Sequence, residues 1–403
     1  MKKKHFKIKA PGDKSITHRA IIIASMARGK SVIINPLICE DTMATINAMR
    51  ALGADITLQN DILTVKGKGL YGFTAPKDTI DCGNSATTMR MLMGLLAGQK
   101  FNSSLTGDSS LMARPMLRII DPLRQMGANI ECRNNEYVIQ ASTLHSINYD
   151  MPVSSAQVKT ALLFADYYAD RKNFIKDPGN SRNHTELMLE TYGKALKGRK
   201  LRIPGDISST AFLIAKALIT PHSDIKLLDV GINPTRTGYI DILKRMGADI
   251  SYSRIKRYGR EKAADIRVRY SHLKSTEISG EIIPRIIDEL PLIAVLGCFA
   301  DGTTIIRDAA ELRVKESDRI AAVVKGINLI GGNACEKADG MDIIGSADAI
   351  FHQAEIETNG DHRIAMSFLI LSDVIPGLNV KNKECVAVSY PTFFNDITSL
   401  FYS

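Results

Sequence analysis

Apolar positions along the chain gather into six dense runs, each opened by a short polar turn whose first residue can cap a helix. The runs are Asp13–Ala27 (DKSITHRAIIIASMA), Asn84–Ala97 (NSATTMRMLMGLLA), Ser154–Ala169 (SSAQVKTALLFADYYA), Asp206–Ile219 (DISSTAFLIAKALI), Asp288–Ala300 (DELPLIAVLGCFA) and Asp361–Ser372 (DHRIAMSFLILS). Each is apolar almost all round, which predicts six buried helices. Their starts lie 71, 70, 52, 82 and 73 positions apart, the mark of a repeated unit. Gly53, Gly127, Gly193, Gly247 and Gly331 follow the first five starts by 40, 43, 39, 41 and 43 positions. A glycine there suits the left-handed end of a second helix. Alternating stretches such as DITLQNDILTV and NIECRNNEYVIQ read as strands and hairpins. The predicted unit is therefore a buried helix, a strand, a more exposed helix and a hairpin.

The sixth unit runs out of chain, because a second helix around Pro391–Leu400 leaves no room for the strands that should follow. The N-terminal strand HFKIKAP is the available substitute. This predicts one three-unit domain over residues 12–204 and a discontinuous one built from 1–11 plus 205–403. The Pro11-Gly12 and Pro204-Gly205 pairs are the expected hinges.

Composition narrows the class. The 403 residues, 45% hydrophobic and 24% charged, suit a two-domain globular protein rather than a disordered chain. No apolar run is long enough for a membrane span, and the basic start MKKKHFKIKA is not followed by an apolar leader core, so the expected location is the cytoplasm. Six cysteines without a CxxC pair suggest neither a disulfide framework nor a zinc site. The net charge of +9 favours anionic partners: nucleic acid, anionic lipid or phosphorylated metabolites. The densest basic cluster, Arg254–Arg260 (RIKRYGR), reads as a solvated surface loop. Gly67-Lys68-Gly69-Leu70-Tyr71-Gly72 spells GxGxxG, but no helix opens behind it, and neither a Walker lysine motif nor a GxSxG elbow is present.

The polar first turns are more telling. They hold Lys14, Ser15 and Arg19; Asn84 and Arg90; Ser154, Ser155 and Gln157; Asp288 and Glu289; and His362 and Arg363. A capped helix start offers backbone N–H groups and partial positive charge, so several such starts would suit a multiply anionic ligand. Each motif also has a bland reading. Lys14-Ser15 and Asn84-Ser85 can be ordinary caps, Arg114 before Pro115 a helix-entry charge, and Asp288-Glu289 a pair that favours a helix start. Arg313 to Arg319 can be a solvated helical face laced with i,i+4 pairs. The joint pattern, at equivalent positions of a repeat, favours the anion reading.

The stretches PGDKSITHRA (11–20), DCGNSATTMR (81–90), LTGDSSLMARPM (105–116), SSAQVKTALL (154–163), ELRVKESDRI (311–320) and DHRIAM (361–366) resemble the 5-enolpyruvylshikimate-3-phosphate synthase family, over essentially the whole chain. The resemblance implies a two-domain, inside-out α/β barrel-like fold of six βαβαββ units, with the active site in the cleft between the domains. It implies transfer of the enolpyruvyl group of phosphoenolpyruvate to shikimate 3-phosphate, with no cofactor and no metal. Lys14, Ser15, Arg19, Ser155, Ala156, Gln157, Arg182, Asp288 and Lys315 are the expected shikimate 3-phosphate ligands. Lys14, Asn84, Ala86, Arg114, Gln157, Arg319, His362 and Arg363 are those expected for phosphoenolpyruvate. Asp288 resembles the base and Glu316 the acid, with Lys14 a third catalytic group. The implied protein is a monomer whose partners are these two small molecules, with no nucleic acid and no membrane.

Two positions depart from the family pattern. A glycine common in the family is Ala86 here, and a frequent lysine near the C-terminus is Val388. The first resembles the glyphosate-tolerant subset; the second removes a cation from the phosphoenolpyruvate side. The nearest rival is the sister transferase that acts on UDP-N-acetylglucosamine. That enzyme usually employs a loop cysteine, whereas Cys298 lies in an apolar helix and Cys82 precedes the Asn84 turn. A nucleic-acid module would rest on charge alone, without an aromatic-interleaved basic motif.

Overall fold

The computed structural model describes residues 6–401, so His5 of the expected N-terminal strand lies outside the described residues. The chain forms two compact units. The N-terminal unit comprises 12–203 with 257–261; the described part of the C-terminal unit comprises 6–11, 204–256 and 262–401. Each has its own apolar core.

The chain opens with β1 (Phe6–Lys9) and passes into the first repeat: α1 (Lys14–Met26), β2 (Arg28–Ile34), α2 (Glu40–Ala51) and the hairpin β3 (Asp55–Gln59) and β4 (Ile62–Lys68). The second repeat holds β5 (Ile80–Asp81), α3 (Ala86–Ala97), β6 (Ser103–Thr106), the single turn α4 (Ser109–Met112), α5 (Leu117–Gln125), β7 (Asn129–Arg133) and β8 (Glu136–Gln140). In the third, β9 (Asn148–Asp150), α6 (Ala156–Ala165), β10 (Phe174–Lys176) and α7 (His184–Tyr192) lead to β11 (Lys200–Arg202).

The C-terminal unit follows the same plan. Its first repeat is α8 (Ile207–Ile219), β12 (Asp224–Gly231), α9 (Gly238–Arg245), β13 (Asp249–Tyr258) and β14 (Glu261–Arg269). The next holds β15 (Leu273–Lys274), β16 (Glu277–Ile278), α10 (Ile283–Ile286), α11 (Leu290–Gly297), β17 (Ala300–Ile306), α12 (Arg319–Leu329), β18 (Asn333–Lys337) and β19 (Gly340–Gly345). The last has β20 (Glu355–Ile356), α13 (His362–Leu369), β21 (Asn379–Val380) and α14 (Phe393–Phe401).

Two repeats of each unit build a mixed sheet of four or five strands, in the orders β11-β2-β4-β3, β5-β6-β8-β7, β1-β12-β14-β13 and β15-β17-β19-β18. The third repeat of each unit differs from the expected pattern. It carries only a two-stranded parallel pair, β9 with β10 and β20 with β21, and no hairpin. The N-terminal strand does not complete the sixth repeat either. It pairs in parallel with β12, Phe6 opposite Ile225 through Lys9 opposite Leu228. β11 does the same for the N-terminal unit, with Lys200 opposite Val32 and Arg202 opposite Ile34. Each unit thus closes the open edge of its first sheet with a strand from a distant segment, which satisfies an edge that would otherwise stay unpaired.

Side-chain caps explain where the buried helices begin. Asp13 accepts from the Ile16 amide, Asp206 from Ser208 and Asp361 from Arg363. The other starts shift by a residue or more. Ser85, not Asn84, caps α3, and Ser155, not Ser154, caps α6. α11 begins at Leu290, with Pro291 in its first turn, so Asp288 stands ahead of the helix rather than at its cap. Gly53, Gly127, Gly193, Gly247 and Gly331 all have positive φ, between 73° and 96°, as the left-handed helix end requires.

Two further expectations change. Arg254–Arg260 is not a loop but mostly the outer strand β13 and its turn, where all residues but the half-buried Tyr258 are exposed. Arg313–Arg319 is not a helical face. A short 3-10 turn ends at Val314, Lys315 is extended, and α12 starts only at Arg319 behind its Asp318 cap.

Candidate functional site

In the N-terminal unit the first turns of α1, α2, α3 and α6 gather the polar side chains. Lys14, in the first turn of α1, donates to Asp41 of α2 at 2.8 Å. One turn on, Arg19 is 2% exposed and its guanidinium is fixed on three sides. Nε donates to Thr185 Oγ1 at 2.7 Å, Nη2 to Thr160 Oγ1 at 3.0 Å and Nη1 to the Ser15 carbonyl at 2.9 Å. Such a rigid cation, one turn inside the helix start, is suited to a phosphate or carboxylate.

The turn ahead of α3 supplies a second group. Arg114 Nη2 donates to Asn84 Oδ1 at 2.6 Å, and Asn84 Nδ2 donates to Asp108 at 2.7 Å. Asp108 itself caps α4 through the Leu111 amide, so the chain after β6 and the turn before α3 hold one another. Ala86, the first residue of α3, is 8% exposed and puts its methyl beside this group in sequence. Arg90, one turn further, donates to Gln157 Oε1 at 2.6 Å, while Gln157 Nε2 donates to Thr87 at 2.9 Å. Gln157 thereby ties the start of α6 to α3, where Ser155 is the cap and Ala156 the first helical residue.

Arg182 belongs to the segment that follows β10, which Asp177 organises. The Asp177 carboxylate accepts from Ser154 Oγ at 2.6 Å and from the Ser181 amide at 2.8 Å, and Lys159 lies 3.2 Å away. Burial opposes its ionisation, but these donors win and hold its pKa below the usual carboxylate value. Arg182 therefore leaves a segment fastened to the Ser154-Ser155 turn.

In the C-terminal unit the central residue is Arg319, 2% exposed at the start of α12. It donates to Asp361 through Nε at 2.8 Å and through Nη2 at 3.2 Å, and to Glu316 at 2.6 Å; Asp288 stands 3.6 Å from Nη1. Asp361 is at once the cap of α13 and the partner of this guanidinium, and Ser317 Oγ adds a third donor at 3.0 Å. Burial raises the Asp361 pKa, yet the charge and hydrogen bonds of Arg319 bring it below the ordinary value. Asp288 and Glu316 thus share one buried cation.

Lys315 completes this group. Burial lowers the pKa of its ammonium, and Asp288, Glu311 and Glu316 pull it back up, with Glu311 the nearest carboxylate at 3.7 Å. Arg363, in the first turn of α13, contacts the Asp288 carbonyl and Glu289, both at 3.4 Å. His362 opens the same helix and is 6% exposed. Two carboxylates, a lysine whose pKa burial lowers, and two arginines therefore sit together on one unit.

The sequence reading passed over several supports: Asp41, Asp108, Asp177, Thr160, Thr185, and Asp361 in its role toward Arg319. Asp361 was visible as a cap, but a cap signal does not say which cation the second carboxylate oxygen holds. Thr160 and Thr185 carry no signal beyond helical spacing from residues already named. Among the described residues no cluster of His, Cys, Asp or Glu is arranged to hold a metal ion. No helix among them is long and apolar enough to cross a membrane.

Comparison with known proteins joins these two groups to one family. Residues 2–397 match the family model for EPSP synthase (3-phosphoshikimate 1-carboxyvinyltransferase). A 3-phosphoshikimate 1-carboxyvinyltransferase from Thermoanaerobacter sp. (strain X514) is 45% identical, with 99% of each chain covered. One from Geobacter sp. (strain M21) is 46% identical over 96% of this chain and 95% of its own. Among solved structures, EPSP synthase from Acinetobacter baumannii superposes with a TM-score of 0.86 at 39% identity, covering 98% of this chain and 96% of that one. The enolpyruvyl transferase NikO from Streptomyces tendae shares the fold, with a TM-score of 0.78 at 15% identity over 98% of this chain and 94% of that one.

Proposed function

Because the chain belongs to the EPSP synthase (3-phosphoshikimate 1-carboxyvinyltransferase) family, we propose a specific division of labour among its side chains in the family reaction. The enzyme transfers the enolpyruvyl group of phosphoenolpyruvate to the 5-hydroxyl of shikimate 3-phosphate and releases phosphate, a step of aromatic amino acid biosynthesis. In our reading Lys14, Ser15, Arg19, Ser155, Ala156, Gln157 and Arg182 bind shikimate 3-phosphate, with Asp288 and Lys315 toward its hydroxyl. Lys14, Asn84, Ala86, Arg114, Gln157, Arg319, His362 and Arg363 bind phosphoenolpyruvate.

The chemistry needs a base and an acid. Asp288 takes the hydroxyl proton as that oxygen bonds to C2, while Glu316 delivers a proton to C3, which yields a tetrahedral adduct. C3 then returns its proton, the C2–O bond to the phosphoryl group breaks, and phosphate leaves. The guanidinium groups offset charge on carboxylate and leaving group. The observation that carries the reading is that Asp288 and Glu316 share Arg319, at 3.6 and 2.6 Å, with Lys315 next to Glu316 in sequence. Phosphate release from phosphoenolpyruvate is the test. It should require shikimate 3-phosphate, fail with UDP-N-acetylglucosamine, and be lost in Lys14→Ala; release that survives in Lys14→Ala refutes the assignment.

We also propose that glyphosate inhibits weakly, since the Ala86 methyl takes space on the phosphoenolpyruvate side. Ala86→Gly should tighten competitive inhibition about tenfold, equivalent to roughly 1.4 kcal/mol. Equal inhibition constants for the two proteins would rule this out. The remaining elements of the reading are a cytoplasmic monomer and the absence of a cofactor; both groups come from a single chain, and sedimentation of the purified protein checks the monomer.

A further inference from the structure

His18 lies between Lys14 and Arg19 on α1, is fully buried, and touches no substrate in the reading above. Its Nδ1 is 2.7 Å from Thr45 Oγ1 on α2, and Thr45 Oγ1 is 2.6 Å from Thr88 Oγ1 on α3. Thr88 Oγ1 donates to Ser85 Oγ, the α3 cap, at 2.8 Å, and also approaches the Asp41 carbonyl at 3.3 Å. All four side chains are buried, and His18 Nε2 has no hydrogen-bond partner.

Of the two proton orders open to this chain, one leaves no buried N–H of the ring unpaired. In that order the single hydroxyl hydrogen of Thr88 goes to Ser85 or the Asp41 carbonyl, so Thr88 accepts from Thr45. Thr45 has then spent its own hydrogen and accepts from His18, which places the imidazole proton on Nδ1. Nε2 is left as a buried, bare lone pair, which suits a neutral ring. Burial, with Lys14 and Arg19 adding to it against Asp41, brings the His18 pKa down to about 3. The ring is thus a fixed donor and not a third cation beside Lys14 and Arg19.

The hydroxyl chain ends on the turn that carries Asn84 and Ala86, whereas the Lys14 and Arg19 side chains are held by the Asp41 carboxylate, Thr160 and Thr185. We propose that His18 is a positioning residue whose Nδ1–H starts a one-way hydroxyl chain that sets the α3 first turn for phosphoenolpyruvate. The inference rests on the assignment of Asn84 to that substrate. Breaking the chain frees the α3 cap while leaving the α1 cations in place, so the two Michaelis constants separate.

The test compares His18→Leu, Thr45→Val and His18→Asn in the full chain, with KM measured for each substrate. His18→Leu and Thr45→Val should raise KM for phosphoenolpyruvate about tenfold, the consequence of one lost buried hydrogen bond. KM for shikimate 3-phosphate should stay within about twofold. His18→Asn, whose amide can donate from the Nδ1 position, should recover most of the loss. Thr45→Val changes little volume and keeps the test alive if His18→Leu does not fold. The proposal falls if KM for phosphoenolpyruvate is unchanged, if both constants move together, or if His18→Asn behaves as His18→Leu. Asn84→Ala is measured alongside. If it leaves KM for phosphoenolpyruvate unaltered, the substrate assignment has failed, a result distinct from failure of the chain.

Discussion

Arg319 shows how much one side chain can organise. A guanidinium that is 2% exposed and meets Asp361, Glu316 and Asp288 has little rotamer freedom left, which is what a preorganised catalytic group requires. Asp361→Asn removes the buried charge that balances it, and such unbalanced pairs cost about 3 kcal/mol or more; denaturant unfolding at pH 7 checks this. The pH dependence follows from the sign of the shift. The Asp361 pKa is lower in the folded protein, so its contribution is fully present above the unfolded value near 3.9 and is lost as pH falls through the folded value. The wild type should therefore lose stability below about pH 4 more steeply than Asp361→Asn. Asp288→Asn keeps the shape but not the base. It should lower kcat by about 10² to 10⁴ with a smaller change in KM, read from steady-state phosphate release. Cap residues such as Asp13 and Asp361 were legible in sequence because their geometry is local. The cation that Asp361 holds, Arg319, lies 42 positions away, and the Thr185 that holds Arg19 lies 166 positions from it, so both contacts needed the structure.

At the scale of elements, the six helices could be read from apolar runs because a helix buried on every side leaves a dense signal. Their starts could not all be read. Ser85 displaced Asn84 and Ser155 displaced Ser154 as caps because two adjacent residues could each serve, while Pro291 set the start of α11 beyond Asp288. The short β9, β10, β20 and β21 were invisible, since strands of two or three residues carry too few positions to show alternation. Helix contact adds a constraint that no pattern announces. A Cβ on Gly94 of α3 would stand 2.1 Å from the Ala161 carbonyl oxygen of α6. Gly94→Ala must therefore push apart the two helices that Arg90 and Gln157 join. It should destabilise the protein by about 3 kcal/mol, at the upper end of usual overpacking costs, and lower activity with it. A thermal melt and an assay on the same preparation check both.

Over the whole molecule, the repeat spacing revealed a six-part architecture, but the sixth part is short as the third is, and the N-terminal strand it was expected to take went to another sheet. Where that strand went depended on which sheet edge was open, a question of topology rather than of local pattern. The answer, β1 on β12 and β11 on β2, bears on how the protein is made. During synthesis β1 leaves the ribosome before its partner β12, which follows about 220 residues later, a wait of roughly 10–40 s at usual elongation rates. Throughout that time the growing chain carries an unmatched β-strand, while most of the N-terminal unit, which is nearly continuous, can already collapse around its own helices. The polar alternation of Lys7 and Lys9 with Phe6 and Ile8 is then a safeguard for translation, since lysine on a waiting strand discourages its pairing with a neighbouring nascent chain.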